Sequence, residues 1–385
     1  MKDFIKQKIR ENLLTESRVK MNMSIPKDIM EIKDVFVKNG FKLFVVGGAV
    51  RDALLGKTPK DYDLATNATP DQVEQIMSNA GFKTLPTGKA FGVINVFTDE
   101  GEYEVATFRK DIGSGRRPDS VEFTTIDQDV KRRDLTINAL FYDIDTSEVV
   151  DLVGGIKDLK NGVVRTVGAA QDRFGEDRLR ILRAIRFAGR FGSDLDPNVD
   201  RALKDDASLE GISPERIRDE FLKGLQTTKS VKHFLDLIDR YNLFTWIFKG
   251  LNVSKVKIEE RDPMILISFL LRENDPQLLG KTLNTLTYSV SEVKGITFLV
   301  ALQQFNNSDD VYIFKKQQMN SGISSEQLRK FGDLLDLNKK LIDAFAEFKL
   351  SVTGADAERE MGVKAGPEMG NAIKKMEADK FKTMM

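Results

Sequence analysis

Two aspartates one residue apart, in Lys60-Asp61-Tyr62-Asp63-Leu64, carry the strongest chemical signal in this sequence. In an extended segment, positions i and i+2 project to the same face. Asp61 and Asp63 therefore lie side by side, and their charges repel unless water, protons or a divalent cation neutralise them. Hard oxygen donors of this kind suit Mg²⁺ better than zinc. Just upstream, Phe44-Val45-Val46-Gly47-Gly48-Ala49-Val50-Arg51-Asp52 reads as a strand, a glycine-paired turn and a helix start. Gly47 and Gly48 let backbone N–H groups approach an anion closely, and a helix beginning near Ala49 turns its positive end the same way. Phosphates and Mg²⁺ are expected to meet here.

The elements that must position these residues follow from hydrophobic periodicity. After Ser24 and Pro26, the apolar residues Ile29, Ile32, Val35 and Phe36 recur at helical spacing and stop at Asn39-Gly40. Lys42 to Val46 reads as a strand. Residues 70–80 read as a helix opened by Pro70, and Phe91 to Phe97 with Tyr103 to Phe108 as a hairpin turning at Asp99-Glu100-Gly101. Mixed strands and helices continue to Asp143, and beyond Asp172 the pattern is helical almost to the end. The fold class is α+β followed by all-α. Residues 1–23 spread Phe4, Ile5, Ile9 and Leu13 among charges and read as a short amphipathic helix or arm.

Composition removes several kinds of chemistry. At 385 residues the chain exceeds the usual size of one core, so at least two domains are expected. Lys plus Arg and Asp plus Glu both total 59, so any affinity for nucleic acid must come from local basic surfaces. The absence of cysteine excludes disulfides, thiolate metal sites and cysteine nucleophiles. His233 is the only histidine, which excludes a multi-histidine metal site. With no long apolar run and a charged N-terminus, a cytoplasmic, membrane-free protein is expected.

The run Val46 to Gly56 followed by Asp61-Tyr62-Asp63-Leu64-Ala65-Thr66 resembles the opening motif of the class II tRNA nucleotidyltransferases. That family includes CCA-adding enzymes and bacterial poly(A) polymerases, with a polymerase-beta-like head of mixed sheet. The resemblance implies nucleotidyl transfer, with Asp61 and Asp63 as metal-holding catalytic residues and Glu104, in Tyr103-Glu104-Val105, as a third carboxylate on a neighbouring strand. An outward-facing strand Glu explains Glu104 nearly as well. It further implies that Gly47, Gly48 and Arg51 contact the incoming nucleotide. Lys131-Arg132-Arg133-Asp134-Leu135-Thr136-Ile137-Asn138 resembles the second motif, implying nucleotide-binding roles for Arg133, Asp134 and Asn138. In that reading Arg133 reaches the triphosphate, and Asp134 accepts from the ribose 2′-hydroxyl that distinguishes NTP from dNTP.

Glu176-Asp177-Arg178-Leu179-Arg180-Ile181-Leu182-Arg183-Ala184-Ile185-Arg186 resembles the third motif. Asp177 and Arg180 match the base-reading pair, with Arg183 and Arg186 as further nucleotide contacts. An acceptor and a donor so placed satisfy the Watson–Crick edge of C or A and leave buried polar groups unpaired against U or G. Arg180, Arg183 and Arg186 recur at helical neighbour spacing, and six arginines between Arg173 and Arg190 face only Glu176 and Asp177 in a nearly neutral chain. Arg109 and Asp111, with Gly113 and Gly115, resemble the basic/acidic element of a flexible loop that helps switch the pocket from C to A.

Pro86 to Val96 resembles the CCA-adding form, and Gly362 to Gly370 a glycine-proline helix start in that form's tail. The resemblance thus implies CMP and AMP addition from CTP and ATP to the tRNA 3′ end, with Mg²⁺ as cofactor. Poly(A) synthesis, CC-only addition and an inactive RNA-binding protein are the alternatives. The expected organisation is an arm at 1–23, a catalytic head at 24–160, a helical neck at 161–248, and a helical body and tail at 249–385 that binds tRNA; Lys364, Lys374 and Lys375 are candidates for that contact, with exposed helix lysines as the default explanation. Beyond Phe248 the motifs give way to generic amphipathic helices.

Overall fold

The computed structural model describes residues 18–113, 119–255 and 258–385. The chain divides into two compact units, Met1–Glu210 and Gly211–Met385. The expected boundary at 160/161 therefore falls inside the first unit, which holds the arginine-rich helix together with the sheet.

The first unit is built on a mixed sheet. Its strands are β1 (Arg18–Lys20), β2 (Leu43–Val46), β3 (Asp63–Thr66), β4 (Lys83–Gly88), β5 (Val93–Phe97), β6 (Glu102–Thr107), β9 (Leu140–Asp143) and β10 (Glu148–Asp151), in the order β1-β10-β9-β2-β3-β6-β5-β4. β3 and β6 run parallel, with Leu64 opposite Val105, and the other neighbours are antiparallel. β5 and β6 form the expected hairpin, although Phe91 lies in a 3-10 turn and the strand begins at Val93. Two further strands, β7 (Arg109–Ile112) and β8 (Ser120–Phe123), make a separate ribbon.

Of the expected arm at 1–23, only positions 18–23 are among the described residues. Arg18–Lys20 is an edge strand paired with β10, and Arg18 is held by Glu148 at 3.1 Å. Positions 1–17, including Phe4, Ile5, Ile9 and Leu13, lie outside the described residues.

Period-two alternation gives the sheet two apolar faces. On one, Leu43, Val45, Leu64, Val105 and Tyr142 pack with Ile29, Ile32 and Phe36 of α1 (Lys27–Lys38). On the other, Phe44, Val46, Ala65 and Phe141 pack with Phe108, Val130 and Ala139. The rings of Phe44, Phe108 and Phe141 meet at centroid distances of 5.6, 6.4 and 6.0 Å. α2 (Gly48–Leu54) follows β2 directly, and α3 (Pro70–Asn79) opens with a capping box of Thr69 and Gln72. A one-turn α4 (Ile126–Asp129), then α5 (Gly155–Asn161), α6 (Ala170–Glu176), α7 (Leu179–Phe191) and α8 (Pro197–Asp205) complete the unit.

The second unit is helical among its described residues. Phe305 lies 4.6 Å from Phe345 and 6.0 Å from Phe381 between ring centroids, joining the chain's last helix to its neighbours. Pro214 opens the helix Pro214–Thr227, and the Ser213 hydroxyl at its N-cap makes no capping bond. Pro367 opens Pro367–Lys382, the expected glycine-proline start. Glu377 in that helix is fully buried and accepts the N–H groups of Ser351 and Val352, each at 2.6 Å. His233 lies within the helix Val231–Arg240. No helix among the described residues is long and apolar enough to cross a membrane.

Candidate active site

The glycine turn is where β2 becomes α2. Gly47 has φ 68° and ψ −120°, a backbone conformation that L side chains avoid, and its N–H donates to the Leu140 carbonyl at 3.0 Å. α2 spans 7 residues, so its dipole is short and the turn's backbone geometry matters more than helix length.

Arg51 follows one helical turn on, and it is buried rather than exposed. Its Nε donates to Asp52 Oδ1 at 2.9 Å, its Nη1 donates to Asn138 Oδ1 at 2.5 Å, and its guanidinium lies 4.9 Å from the centre of the Phe187 ring. Burial lowers its pKa, opposed by the hydrogen bond and charge of Asp52. Asn138 in turn donates its amide to Asp134 Oδ1 at 3.3 Å.

Asp63 begins β3, with Asp61 just ahead of it, and both are exposed. Asp63 shares a face with Ala65, the face of the phenylalanine cluster. The parallel register that pairs Leu64 with Val105 sets Glu104 beside Asp63 on β6. Among the described residues no group of three or more His, Asp or Glu is gathered closely enough to hold a metal ion. Glu104 thus flanks the aspartate pair from the neighbouring strand without closing a three-carboxylate cage. The Asp63 carboxyl is held above the usual carboxylate range, first because the surrounding protein thins its hydration, with Arg133 opposing and the Asp61 charge adding to the rise. A cation between the aspartates would reverse both unfavourable effects.

The second motif folds as two short 3-10 turns, Val130–Arg132 and Thr136–Asn138. Arg133 lies over Phe141 at 4.5 Å from the ring centre, on the same sheet face as Asp63. Asp134 is heavily engaged. Its Oδ1 accepts the Leu135 N–H at 2.7 Å and its Oδ2 accepts Arg183 Nε at 2.6 Å. Its pKa is lowered: burial opposes the charge, but Arg183 and these hydrogen bonds outweigh it. A ribose hydroxyl at Asp134 would have to share the carboxylate with Arg183.

Asp177 joins α6 to α7, and its Oδ1 accepts the Leu179 N–H at 3.0 Å. Arg180 reaches back along the chain, donating to Glu176 Oε2 at 2.5 Å, the Arg173 carbonyl at 3.3 Å and the Arg132 carbonyl at 2.9 Å. Arg183 and Arg186 share a half-buried face of α7 with Arg190, as helical spacing predicts. The Arg186 guanidinium lies 4.4 Å from the centre of the Phe187 ring. Arg109 and Asp111 form an ion pair at 3.0 Å on β7, and Arg109 Nη1 also donates to the Phe91 carbonyl. The expected loop is therefore a β-ribbon at its base. Gly113 follows the end of β7, and Gly115 lies outside the described residues. The ribbon seats Phe123 against Gly92 (φ 80°), where a Cβ would lie 3.0 Å from the ring.

Comparison with known proteins adds kinship to this geometry. The poly(A) polymerase head domain family matches residues 43–165, and a family described as the probable RNA and SrmB-binding site of polymerase A matches residues 193–254. A CCA-adding enzyme of Ligilactobacillus salivarius (strain UCC118) is 32% identical over 376 residues, covering 92% of this chain and 91% of that protein. The chain belongs to the poly(A) polymerase and CCA-adding enzyme family. Likeness to the family runs well past Phe248, where the sequence motifs thin out. Another member, the CCA-adding enzyme of Staphylococcus aureus (strain MRSA252), is 33% identical over 319 residues, or 81% of this chain and 74% of that protein. The crystal structure of the Bacillus stearothermophilus CCA-adding enzyme in complex with CTP superposes with TM-score 0.67 at 26% identity, covering 93% of each chain. The Thermotoga maritima CCA-adding enzyme complexed with tRNA-CCA gives TM-score 0.68 at 20% identity over 97% of this chain and 94% of that one, a likeness of fold.

Within this family member, sequence motifs alone do not single out the residues that hold the arginines. Asp52 accepts both Arg51 and, at 2.8 Å, Arg190 from α7. Asp129 accepts Arg132 and Arg133, and Glu176 accepts Arg180. Local spacing offered a signal for two of them, because Asp129 stands three and four residues before its arginines and Glu176 four before Arg180. Asp52 and Arg190 have no such signal, being 138 residues apart.

Proposed function

We propose that this protein is a template-independent RNA nucleotidyltransferase that adds CMP and AMP, from CTP and ATP, to the tRNA 3′ end. The observation that carries this reading is 32% identity to a CCA-adding enzyme across 91% of that enzyme's length. The fold and the disposition of aspartates, glycine turn and arginines in the first unit support it. In the reaction the RNA 3′-oxygen attacks the α-phosphorus of the NTP, the bond to the β-phosphate oxygen breaks, and pyrophosphate leaves.

Metal dependence is general among CCA-adding nucleotidyltransferases, and Mg²⁺ is our assignment from the hard oxygen donors of Asp61 and Asp63. Two exposed carboxylates, one of them short of hydration and repelled by the other, fit such an ion, which keeps waters and takes its remaining ligands from phosphates. Bound there, Mg²⁺ would supply Lewis-acid chemistry at the 3′-hydroxyl and charge neutralisation at the triphosphate. Glu104 adds negative charge beside the pair. Arg133, fixed over Phe141, offers donors to the triphosphate, and the Gly47-Gly48 turn lets it come close to the backbone. Arg51 and Asn138 hold the turn to the second motif, and Arg183 and Arg186 line α7. Asp177 and Arg180 read the base, accepting from the exocyclic amine and donating to the ring nitrogen of C or A. Arg109 and Asp111 form the base of the ribbon that changes the pocket between C and A.

Purified protein with Mg²⁺ and a tRNA lacking its 3′ end tests the reading. With CTP and ATP, addition should stop after C, C and A. Unlimited A-tailing with ATP alone would indicate poly(A) synthesis, arrest after two C residues CC-only addition, and no incorporation an RNA-binding protein. Asp177→Ala should cut the preference for CTP over UTP by roughly 100-fold, the scale of one unpaired polar group. Unchanged selectivity in competition assays would reject the base-reading assignment.

A further inference from the structure

Two segments of the first unit, β7 and the Arg132–Arg133 turn, converge on one carboxylate that the reaction scheme does not use. Asp129 ends α4 and is 1% exposed. Its Oδ1 accepts the backbone N–H of Arg109 at 3.1 Å and Arg132 Nε at 2.9 Å. Its Oδ2 accepts Arg133 Nε at 3.2 Å and Nη2 at 3.0 Å. One edge of the Arg133 guanidinium is therefore clamped by Asp129, and one face by the Phe141 ring. What remains is the Nη1 side, which faces the glycine turn: a Cβ built on Gly47 would lie 3.9 Å from it. A planar guanidinium held by an edge and a face has little rotational freedom left.

We propose that Asp129 is a positioning residue that aims Arg133 at the Gly47 turn and couples this aim to the base of the β7–β8 ribbon through the Arg109 backbone. The proposal rests on the reading of Arg133 as a triphosphate-binding residue. The carboxylate is planar, with Oδ1 holding the Arg109 backbone and Oδ2 holding Arg133, so a displacement of β7 at Arg109 turns the plane that holds Arg133. The ribbon and the triphosphate site are then linked without any contact between the ribbon and the phosphates. A carboxylate that merely neutralised buried arginines would need no bond to the Arg109 N–H.

The test uses the full chain and two readouts: CTP and ATP binding with Mg²⁺ in the absence of RNA, by calorimetry, and steady-state CMP and AMP addition to tRNA. Asp129→Asn keeps the shape and removes the charge. It should raise Kd and KM for both nucleotides by about tenfold or more, the scale of lost charge-assisted hydrogen bonds, while KM for tRNA stays unchanged. A purely structural residue would lower the active fraction, and with it the maximal rate, at unchanged nucleotide Kd and KM; that result overturns the proposal. Should Asp129→Asn fail to fold, Asp129→Glu keeps the buried charge and shifts it by one methylene. A several-fold rise in nucleotide Kd at a near-wild-type melting temperature then supports positioning, and wild-type Kd in the folded variant overturns it. Wild-type protein that binds CTP but adds nothing to tRNA defeats the transferase reading alone, because nucleotide binding still reports on Asp129. Wild-type protein that binds neither nucleotide defeats both.

Discussion

Asp63 shows how a residue's type and its surroundings divide the work. The carboxylate pair was legible because i, i+2 spacing in a strand forces two side chains to one face. The rise in the Asp63 pKa was not legible, since it comes first from protein packed around the strand and is set against the opposing charge of Arg133, which is 70 positions away in the chain. Removing one charge of the pair should leave the fold intact while disabling the proposed metal site. Asp63→Asn is expected to reduce CMP addition about a thousandfold, several kcal/mol of transition-state stabilisation, with the melting temperature unchanged or slightly higher as repulsion is relieved. Activity within tenfold of wild type in a Mg²⁺ titration would remove Asp63 from the catalytic assignment. Arg51 offers the complementary lesson. Its motif position was readable, but its burial against Phe187 and Asn138 makes it part of the framework that shapes the turn as well as a candidate nucleotide contact.

Helices and strands with their own local signals appeared where expected. α1, α3 and the β5–β6 hairpin all carry start, stop or alternation signals within a few residues. β1 did not, because three residues become a strand only through the β10 edge that they join. The Arg109–Asp111 segment likewise became a strand through β8, and no local signal anticipated it. The β2-to-α2 connection is the element on which the proposed phosphate site most depends. With Gly47 at φ 68° and ψ −120°, Gly47→Ala should cost about 1–3 kcal/mol. That corresponds to a drop of roughly 2–12 °C in the melting temperature of a unit this size, measurable by scanning calorimetry. A wild-type melting temperature would mean that the turn tolerates a Cβ and that its glycine is not conformationally required.

Over the molecule as a whole, charged residues far apart in the chain are tied together by hydrogen bonds within the first unit. Asp52, Arg51, Asn138, Asp134 and Arg183 form one chain of hydrogen bonds that joins α2, the Thr136–Asn138 turn and α7. Asp129 and Asp134 keep their charge although burial opposes it, because arginines and N–H groups outweigh desolvation, so both carboxyls titrate below their ordinary value. A depressed folded pKa stabilises the fold at pH values above the unfolded pKa of about 3.9, and that contribution is lost as pH falls through the lower folded values. The unfolding midpoint should therefore fall steeply below about pH 4. Asp134→Asn should cost about 3 kcal/mol at pH 7, by leaving Arg183 unpaired, and should flatten the acid limb. An acid limb as steep in the variant as in the wild type, in melts from pH 7 to pH 2.5, would show that other carboxylates govern acid unfolding.

The amino-acid sequence by itself determined the parts that are local: the aspartate pair, the glycine turn, the arginine spacing of α7, the α+β head and the helical remainder. Each depends on a repeat of two or 3.6 residues or on backbone freedom at one position, so a short window of sequence contains the whole physical cause. Tertiary structure decided which charges meet. Arg51 and Asn138 are 87 residues apart, Asp134 and Arg183 49, and Arg180 and the Arg132 carbonyl 48. Such partners are chosen by where the sheet and α7 come together, and the free energy that brings them together comes from burying Phe44, Phe141, Phe187 and their neighbours rather than from the ion pairs themselves. The motifs name the chemistry, and the packed core fixes the geometry in which it is carried out.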